Sequence, residues 1–197
     1  MRGDIPPEAV RRAETLLGWP ERLTLTQEIS AEEMAMVRAS MRGGDRAHDV
    51  TLYIFAAAHR ERMAVIAKHS YPPGGYRPPG GAVKPGEELA QGAAREALEE
   101  TGLTVTVRRY LLRVQARFTC AEQEPIAWIT HLVTAWTDHA PESLTPLDTA
   151  EVREARWSTM AELQGPIRAI LLGTGRGLFA YRVALHDAVA ALLTPPL

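Results

Sequence analysis

Three glutamates, Glu96, Glu99 and Glu100, stand at spacing i, i+3 and i+4 in the stretch Arg95-Glu96-Ala97-Leu98-Glu99-Glu100-Thr101-Gly102-Leu103. On a helix, at about 100° per residue, these positions share an arc of roughly 100° on one face. Like charges so close repel one another, and the cluster becomes tolerable when a cation sits among them. Carboxylate oxygens are hard ligands, so the cation they suit is Mg²⁺, with Mn²⁺ as the alternative. Glu87, in the preceding loop or first turn, adds a fourth oxygen group. Arg95 stands directly before the cluster and can hold a glutamate by a bidentate contact. The Pro/Gly-rich approach, Tyr71 to Gly81, lets the backbone turn sharply and come close to a ligand. The ordinary reading of such a stretch is a solvated acidic helix face. That reading leaves Gly81, Glu87, Arg95 and Gly102 at their fixed offsets unexplained. Seven specified positions at background frequencies of roughly 5–7% match by chance about once in 10⁸ to 10⁹ windows.

The elements that must position these residues are legible from periodicity and punctuation. A helix is expected from about Glu88 to Thr101, with Gly102 as its C-terminal cap and Pro85-Gly86 as the turn before it. The approach Tyr71–Gly81 is expected to be neither helix nor central strand, given its prolines and glycines. Strands are expected at 49–57, 62–68, 103–109, 110–118, 126–136 and 153–157, with His59-Arg60-Glu61 as the turn between the first two. In 126–136 both alternating sets are largely apolar, which predicts cover on both faces. Upstream, residues 7–17 read as a helix ended by Gly18, Leu23 to Gln27 as a short strand, and Ser30-Ala31-Glu32-Glu33 as a capping box. The helix that box opens carries Met34, Val37 and Met41 on one stripe and stops at Gly43-Gly44. Downstream, 138–150 is a polar loop, Thr159-Met160-Ala161-Glu162 opens a helix near 160–172, and Leu178 to Leu193 is a terminal helix. Helices on both sides of a sheet predict an α+β class, an α/β/α sandwich. The expected division is an N-terminal extension, 1–47, packing on a main domain, 48–197.

The bulk properties exclude several function classes. The chain has 197 residues, 46% apolar and 23% charged, which is ordinary for one globular domain with a real core. A formal net charge of −2 offers no surface that would coat nucleic acid or a membrane. No apolar run is long enough to span a bilayer. The start, Met1-Arg2-Gly3-Asp4-Ile5-Pro6-Pro7, lacks the apolar core of a signal peptide, so the expected location is the cytoplasm. Cys120 is the single cysteine, which removes any intramolecular disulfide and any cysteine-based metal site and leaves a small packing residue. Lys68 and Lys84 are the only lysines, a bias toward arginine read as compositional.

The stretch Gly81–Leu103 resembles the box of the Nudix superfamily, Gly-x5-Glu-x7-Arg-Glu-U-x-Glu-Glu-x-Gly-U, where U is a bulky aliphatic residue. Every charged and glycine position matches, and the one departure is Ala97 at the first U position. The correspondence with the family's fold covers roughly 48–172. The resemblance implies a mixed sheet between helices with the box as a loop–helix–loop. It implies divalent metal on Glu96, Glu99 and Glu100, with Glu87 as a further ligand. It also implies catalytic roles for Glu99, Glu100 and Arg95. Substrate contacts fall to the backbone of Gly80, Gly81 and Ala82 and to Arg77 and Tyr76 on the approach. The implied substrate is a small nucleotide-type molecule whose diphosphate linkage is cut by water attack at phosphorus. For the general base, Glu99 and Glu100 of the box stand beside Glu142, Glu151 and Glu154 on loops. His131, Trp128 and Trp136 are better read as core, whereas Tyr76 is an equal candidate for stacking on a base.

The family's substrate markers do not choose. Phe118 and Thr119 occupy the place where ADP-ribose subgroups carry a proline. Thr119, Cys120 and Ala121 replace the tyrosine expected for dinucleoside polyphosphates. The alternative class is a catalytically silent, nucleotide-binding regulator, against which the complete carboxylate set and the lack of a basic helix-turn-helix weigh. An isoprenoid diphosphate isomerase would need a reactive cysteine in the pocket, with a supporting motif that Cys120 lacks. The amphipathic flanks are expected either to form a homodimer or to pack over their own sheet.

Overall fold

The computed structural model describes residues 5–193 apart from 45 and 122. Residues 1–4 of the signal-peptide reading and 194–197 of the expected main domain lie outside them. Helices α1 (Pro7–Leu17), α2 (Ala31–Ser40), α3 (Leu89–Thr101) and α6 (Gly177–Leu193) flank one mixed sheet. The sheet runs β1 (Glu21–Glu28), β5 (Thr106–Cys120), β6 (Gln123–Thr137), β2 (His48–Ala56), β3 (Met63–Lys68), β7 (Val152–Ser158), with β4 (Gly80–Gly81) on β2. β1 lies parallel to β5 and β6 parallel to β2, and the remaining pairs are antiparallel.

Alternation along the strands sends two sets of side chains to opposite faces. Val50, Leu52, Ile54, Tyr110, Val133 and Ala135 pack under Ala9 and Ala13 of α1 and Ala93 and Ala97 of α3. Tyr53, Val65, Leu112 and Val114 pack under Met34 and Val37 of α2, Phe179 and Leu185 of α6, and Leu163, Ile167 and Leu171. The architecture is the expected sandwich, with the central strands covered on both sides. The apolar stripes of α2 and α6 pack on the sheet of their own chain. Among the described residues, no helix is long and apolar enough to cross a membrane.

Glu33 ties the two ends of the chain together. Ser30 Oγ accepts from Glu33 N, and Glu33 Oε2 accepts from Ser30 N, each at 3.1 Å, which completes the capping box. The same carboxylate accepts from Gly177 N at 3.2 Å and Leu178 N at 3.0 Å, at the start of α6. Burial alone would push Glu33 up, but the Ser30, Leu178 and Gly177 N–H donors and the Arg176 charge outweigh it and hold the carboxyl below its ordinary value.

Three expectations need correction. Residues 103–109 and 110–118 are one strand, β5, and the suspected break falls on register shifts at Val107/Arg109 and Tyr110/Leu112 that bend it without ending it. The helix near 160–172 is interrupted. After α4 (Met160–Glu162) comes a π-turn, Leu163–Ile167, and then α5 (Arg168–Gly173), because Pro166 lies inside and has no N–H for the regular ladder. The approach to the box does enter the sheet. β2 and β3 pair only at Phe55 and Met63 and then diverge. Residues 77–81 fill the gap: Arg77 exchanges both backbone bonds with Ile66 of β3, and Gly81 and Gly80 pair with Val50 and Thr51 of β2. Pro79 fits because only its carbonyl is needed there, accepting from Leu52 N at 2.9 Å.

Candidate active site

The two glycines of β4 bring the acidic helix against the sheet. A Cβ on Gly80 would stand 2.1 Å from Val50 O, and one on Gly81 would stand 2.5 Å from Glu96 Oε2. Only a residue without a side chain admits both approaches. Glu100, 2% exposed, accepts from Gly80 N at 2.6 Å through Oε2 and from Arg77 Nη2 at 3.1 Å through Oε1. Arg77 is itself buried and also donates to Gly80 O at 2.9 Å. The end of α3 is fixed by Gly102, the expected cap, in the left-handed conformation at φ 75°.

Arg95 gathers the remaining carboxylates. Its Nε and Nη2 donate to the two oxygens of Glu87 at 2.8 and 3.0 Å, and Nη1 donates to Glu96 Oε1 and Glu99 Oε2, each at 2.8 Å. Nη2 also reaches Ala82 O at 2.6 Å. The Arg95 hydrogen bonds hold Glu87 below the ordinary carboxylate range. Glu96 goes the other way: burial raises it, the neighbouring charges of Glu100 and Glu99 add to that, and Arg95 only partly offsets them.

Both lysines of the chain touch this cluster. Lys84 Nζ lies 3.8 Å from Glu99 Oε1. Lys68 Nζ is bonded to Glu151 Oε2 and stands 3.7 Å from Glu100 Oε1. Among the described residues, no three acidic, histidine or cysteine side chains converge closely enough to enclose a metal ion. The donor set nevertheless fits a hard divalent cation in kind. Around Glu96 the repulsion of the neighbouring Glu100 and Glu99 carboxylates is only partly offset by Arg95, which favours an added cation with oxygen ligands.

On the face away from α3, a cleft of about 370 Å³ opens between the sheet, α2 and α6. Arg77, Gly80 and Gly81 line it, as do Lys68 and Glu151. The glycine strand thus stands between the two: Gly80 and Gly81 touch Glu100 and Glu96 and also line the cleft, whereas the box glutamates themselves do not line it. Ala82 and Glu87 line a second cavity, of about 480 Å³, on the α1 side.

The remaining candidates are scattered. Tyr76 is not on the cleft. It is 8% exposed, its hydroxyl donates to Glu154 Oε1 at 2.9 Å, and the Arg156 guanidinium covers its ring at 4.4 Å. The reading of Tyr76 as a platform for a base gives way to a packed core residue, because the neighbouring residues 77–81 are held by β2 and β3. Glu154 is engaged with it, and Glu142 is exposed on the 138–150 loop outside the cleft. His131 is fully buried with Nδ1 2.5 Å from the Tyr110 hydroxyl, and Trp136 stacks on Phe55. Trp128 is 6% exposed, and its Nε1 donates to Asp49 on the cleft wall. Sequence reasoning passed over Asp49, Arg46, Lys68, Arg176 and Arg182, all of which line the cleft. One signal was available: an aspartate near the start of a strand whose remaining residues are mostly apolar.

The NUDIX domain profile matches residues 46–173. A search of curated proteins finds no match. Among solved structures, the chain is similar to a C. elegans Ap4A hydrolase in a binary complex, at 21% identity over 75% of this chain and 97% of that one, with a TM-score of 0.48. It is also similar to the E. coli dihydroneopterin triphosphate pyrophosphohydrolase, at 17% identity over 64% and 86%, with a TM-score of 0.46. A NUDIX-family hydrolase from Clostridium perfringens matches at 15% identity over 73% and 98%, with a TM-score of 0.44.

Proposed function

Since the chain belongs to the NUDIX domain family, and is on that footing a hydrolase of phosphorus-containing acid anhydrides, we propose that it cuts a diphosphate linkage in a nucleotide-type small molecule, with Mg²⁺, by attack of water at phosphorus. The observation that carries this reading is the burial of Glu96 and Glu100 against the same Gly80–Gly81 strand that lines the cleft. Substrate phosphate and box carboxylates can then share one ion.

Glu96, Glu99 and Glu100 would hold the metal, with Glu87 as a further oxygen donor, and Mn²⁺ is the alternative ion. When bound, the ion supplies charge neutralisation on the phosphate oxygens and lowers the pKa of bound water. The protein's own residues do the positioning. Arg77 and Gly80 N fix Glu100, and Arg95 sets Glu87, Glu96 and Glu99 relative to one another. Lys68 stands on the cleft wall where a phosphate oxygen would lie and steadies both Glu100 and Glu151. Glu151, on the rim of the cleft, is the loop carboxylate in reach of an attacking water, and Glu99, with its side chain 38% exposed, is the box alternative.

The test is a panel of nucleoside triphosphates, dinucleoside polyphosphates and nucleotide sugars, incubated with Mg²⁺, with Mn²⁺ and with a chelator, and read by product identity. Turnover should need the divalent ion, and Glu99→Gln and Glu100→Gln should each lower it by about 10²-fold or more. Binding across the panel without turnover would favour a regulator, and a fully active double variant would remove the hydrolase mechanism.

A further inference from the structure

The proposed reaction leaves a buried carboxylate on the cleft wall without a role. Asp49, 4% exposed, lies on the face of β2 that turns toward α6. Its Oδ1 accepts from Trp128 Nε1 at 3.0 Å and from Thr130 Oγ1, and its Oδ2 accepts from Arg182 Nη2 at 3.2 Å. Thr130 Oγ1 is in turn 2.7 Å from the Tyr181 hydroxyl, so the network joins β2, β6 and α6. Burial by itself would push Asp49 up, yet the charge of Arg182, the Thr130 and Trp128 hydrogen bonds and the charge of Arg46 hold it below its ordinary range.

A buried ion pair is a poor device for stability, since apolar side chains of similar volume do as well or better. What this one does achieve is direction. A guanidinium carries five N–H donors. Asp49 takes one from Arg182, and Thr51 Oγ1, at 3.5 Å, takes another. Arg182 itself lines the cleft. Arg46 is on the same wall, with Nε donating to His48 O at 2.9 Å and its guanidinium 5.4 Å from the centre of the Trp128 ring. Two guanidinium groups therefore act on one carboxylate at this end of the cleft. The place is beside the box and distinct from it. Thr51 pairs with Gly80, and Asp49 lies two residues further along β2, roughly 7 Å away.

From this we infer that the wall formed by β2, β6 and α6 is a phosphate subsite held by Arg182 and Arg46, and that the substrate is an anhydride carrying a further phosphate that is not cut. The first half stands on the geometry, and the second rests on the hydrolase reading. Arg182 and the aromatic residues of α6 lie outside the matched 46–173, so membership of the family does not supply this selectivity. A cleft of about 370 Å³ is of the size that holds a small ligand, and both anion positions lie on its walls. Two substrate types present such a phosphate: a polyphosphate chain longer than two, or a nucleotide sugar bearing a phosphomonoester.

Two measurements test the inference. The first is calorimetric titration of the metal-free protein with inorganic phosphate and with tripolyphosphate. Both anions should bind the wild type, Arg182→Met should weaken that binding by about tenfold to a hundredfold, and Arg182→Lys should recover part of it. If Arg182→Met does not fold by circular dichroism, Arg46→Met carries the same comparison. The second is KM for matched pairs: a nucleoside diphosphate against its triphosphate, and a nucleotide sugar with and without a phosphomonoester. At least one pair should favour its phosphorylated member by about tenfold or more, and that preference should collapse in the arginine variant. The pair that shows it identifies the source of the phosphate. Arginine-dependent phosphate binding with no turnover on any substrate would sink the hydrolase reading and leave the subsite standing. Turnover with no preference in either pair, or phosphate binding indifferent to both arginines, would overturn the subsite.

Discussion

Adding one methyl group to each glycine of β4 separates what the two residues do. In Gly81→Ala the new Cβ would lie 2.5 Å from Glu96 Oε2, 2.6 Å from its Cδ and 2.7 Å from its Oε1. Every atom it meets belongs to the far end of one flexible side chain. To reach ordinary contact at 3.4 Å the carboxylate must retreat by about 0.9 Å. That costs about 0.5–1.5 kcal/mol of stability if Glu96 is driven off its rotamer, a loss the fold survives. A misplacement of about 1 Å at a reacting centre costs on the order of 10²-fold in rate. In Gly80→Ala the Cβ would lie 2.1 Å from Val50 O and 2.9 Å from Thr51 Cα, both backbone atoms of a central strand that cannot retreat. The expected pair of results is a folded, nearly inactive Gly81→Ala and a Gly80→Ala that is destabilised outright. Thermal denaturation followed by circular dichroism measures the first quantity, and kcat at saturating Mg²⁺ the second. A Gly81→Ala protein with wild-type kcat would refute the reasoning, because Glu96 would then tolerate displacement and could not be placing a reactive ion. A Gly80→Ala protein as stable as wild type would refute the close packing of β4 on β2.

Other perturbations follow from the same geometry. Arg95→Lys keeps the charge but cannot reproduce a fork that serves Glu87, Glu96, Glu99 and Ala82 O. It should lose about 1–3 kcal/mol in chemical denaturation and most of its turnover, and an unchanged midpoint with unchanged kcat would count against it as organiser. Lys68→Met removes the ammonium between Glu100 and Glu151, so steady-state kinetics should show kcat/KM down by about tenfold or more with the melting temperature nearly kept; wild-type kinetics would remove Lys68 from the site. His186 is 1% exposed, its Nδ1 has no hydrogen-bond partner among the described residues, and burial together with the charges of Arg182 and Arg77 pushes it down to about 3 from 6.5. The unfolded chain therefore takes up a proton that the folded chain refuses, and stability falls as pH drops from about 6.5 toward about 3, at roughly 1.4 kcal/mol per pH unit. Denaturation midpoints of His186→Leu should be less sensitive to acid by that slope, and identical pH dependence in the two proteins would exclude this origin.

The arrangement of the box was legible in the chain because it is local. Positions i, i+3 and i+4 share a helix face whatever the helix packs against, so Glu96, Glu99 and Glu100 had to lie together once residues 89–101 were helical. The capping box at Ser30 and the glycine after Thr101 were legible for the same reason: their partners are three or four residues away. Strands written in apolar residues on both faces announced a covered sheet. What the chain did not announce was where β2 and β3 part. That divergence decides that the end of a proline-rich segment enters the sheet, and that two glycines come to stand between buried carboxylates and a cleft.

Arg182 meets Asp49 across 133 residues of chain, and Glu33 caps a helix that begins 144 residues later. No spacing rule reaches so far, since such pairs form only when packing of the apolar faces fixes which helix lies on which side of the sheet. Tyr76 marks the same boundary from the other direction. Its Pro/Gly-rich neighbours suggest a residue free to stack on a base, yet the backbone pairing of Arg77 with Ile66 draws it inside, under Arg156.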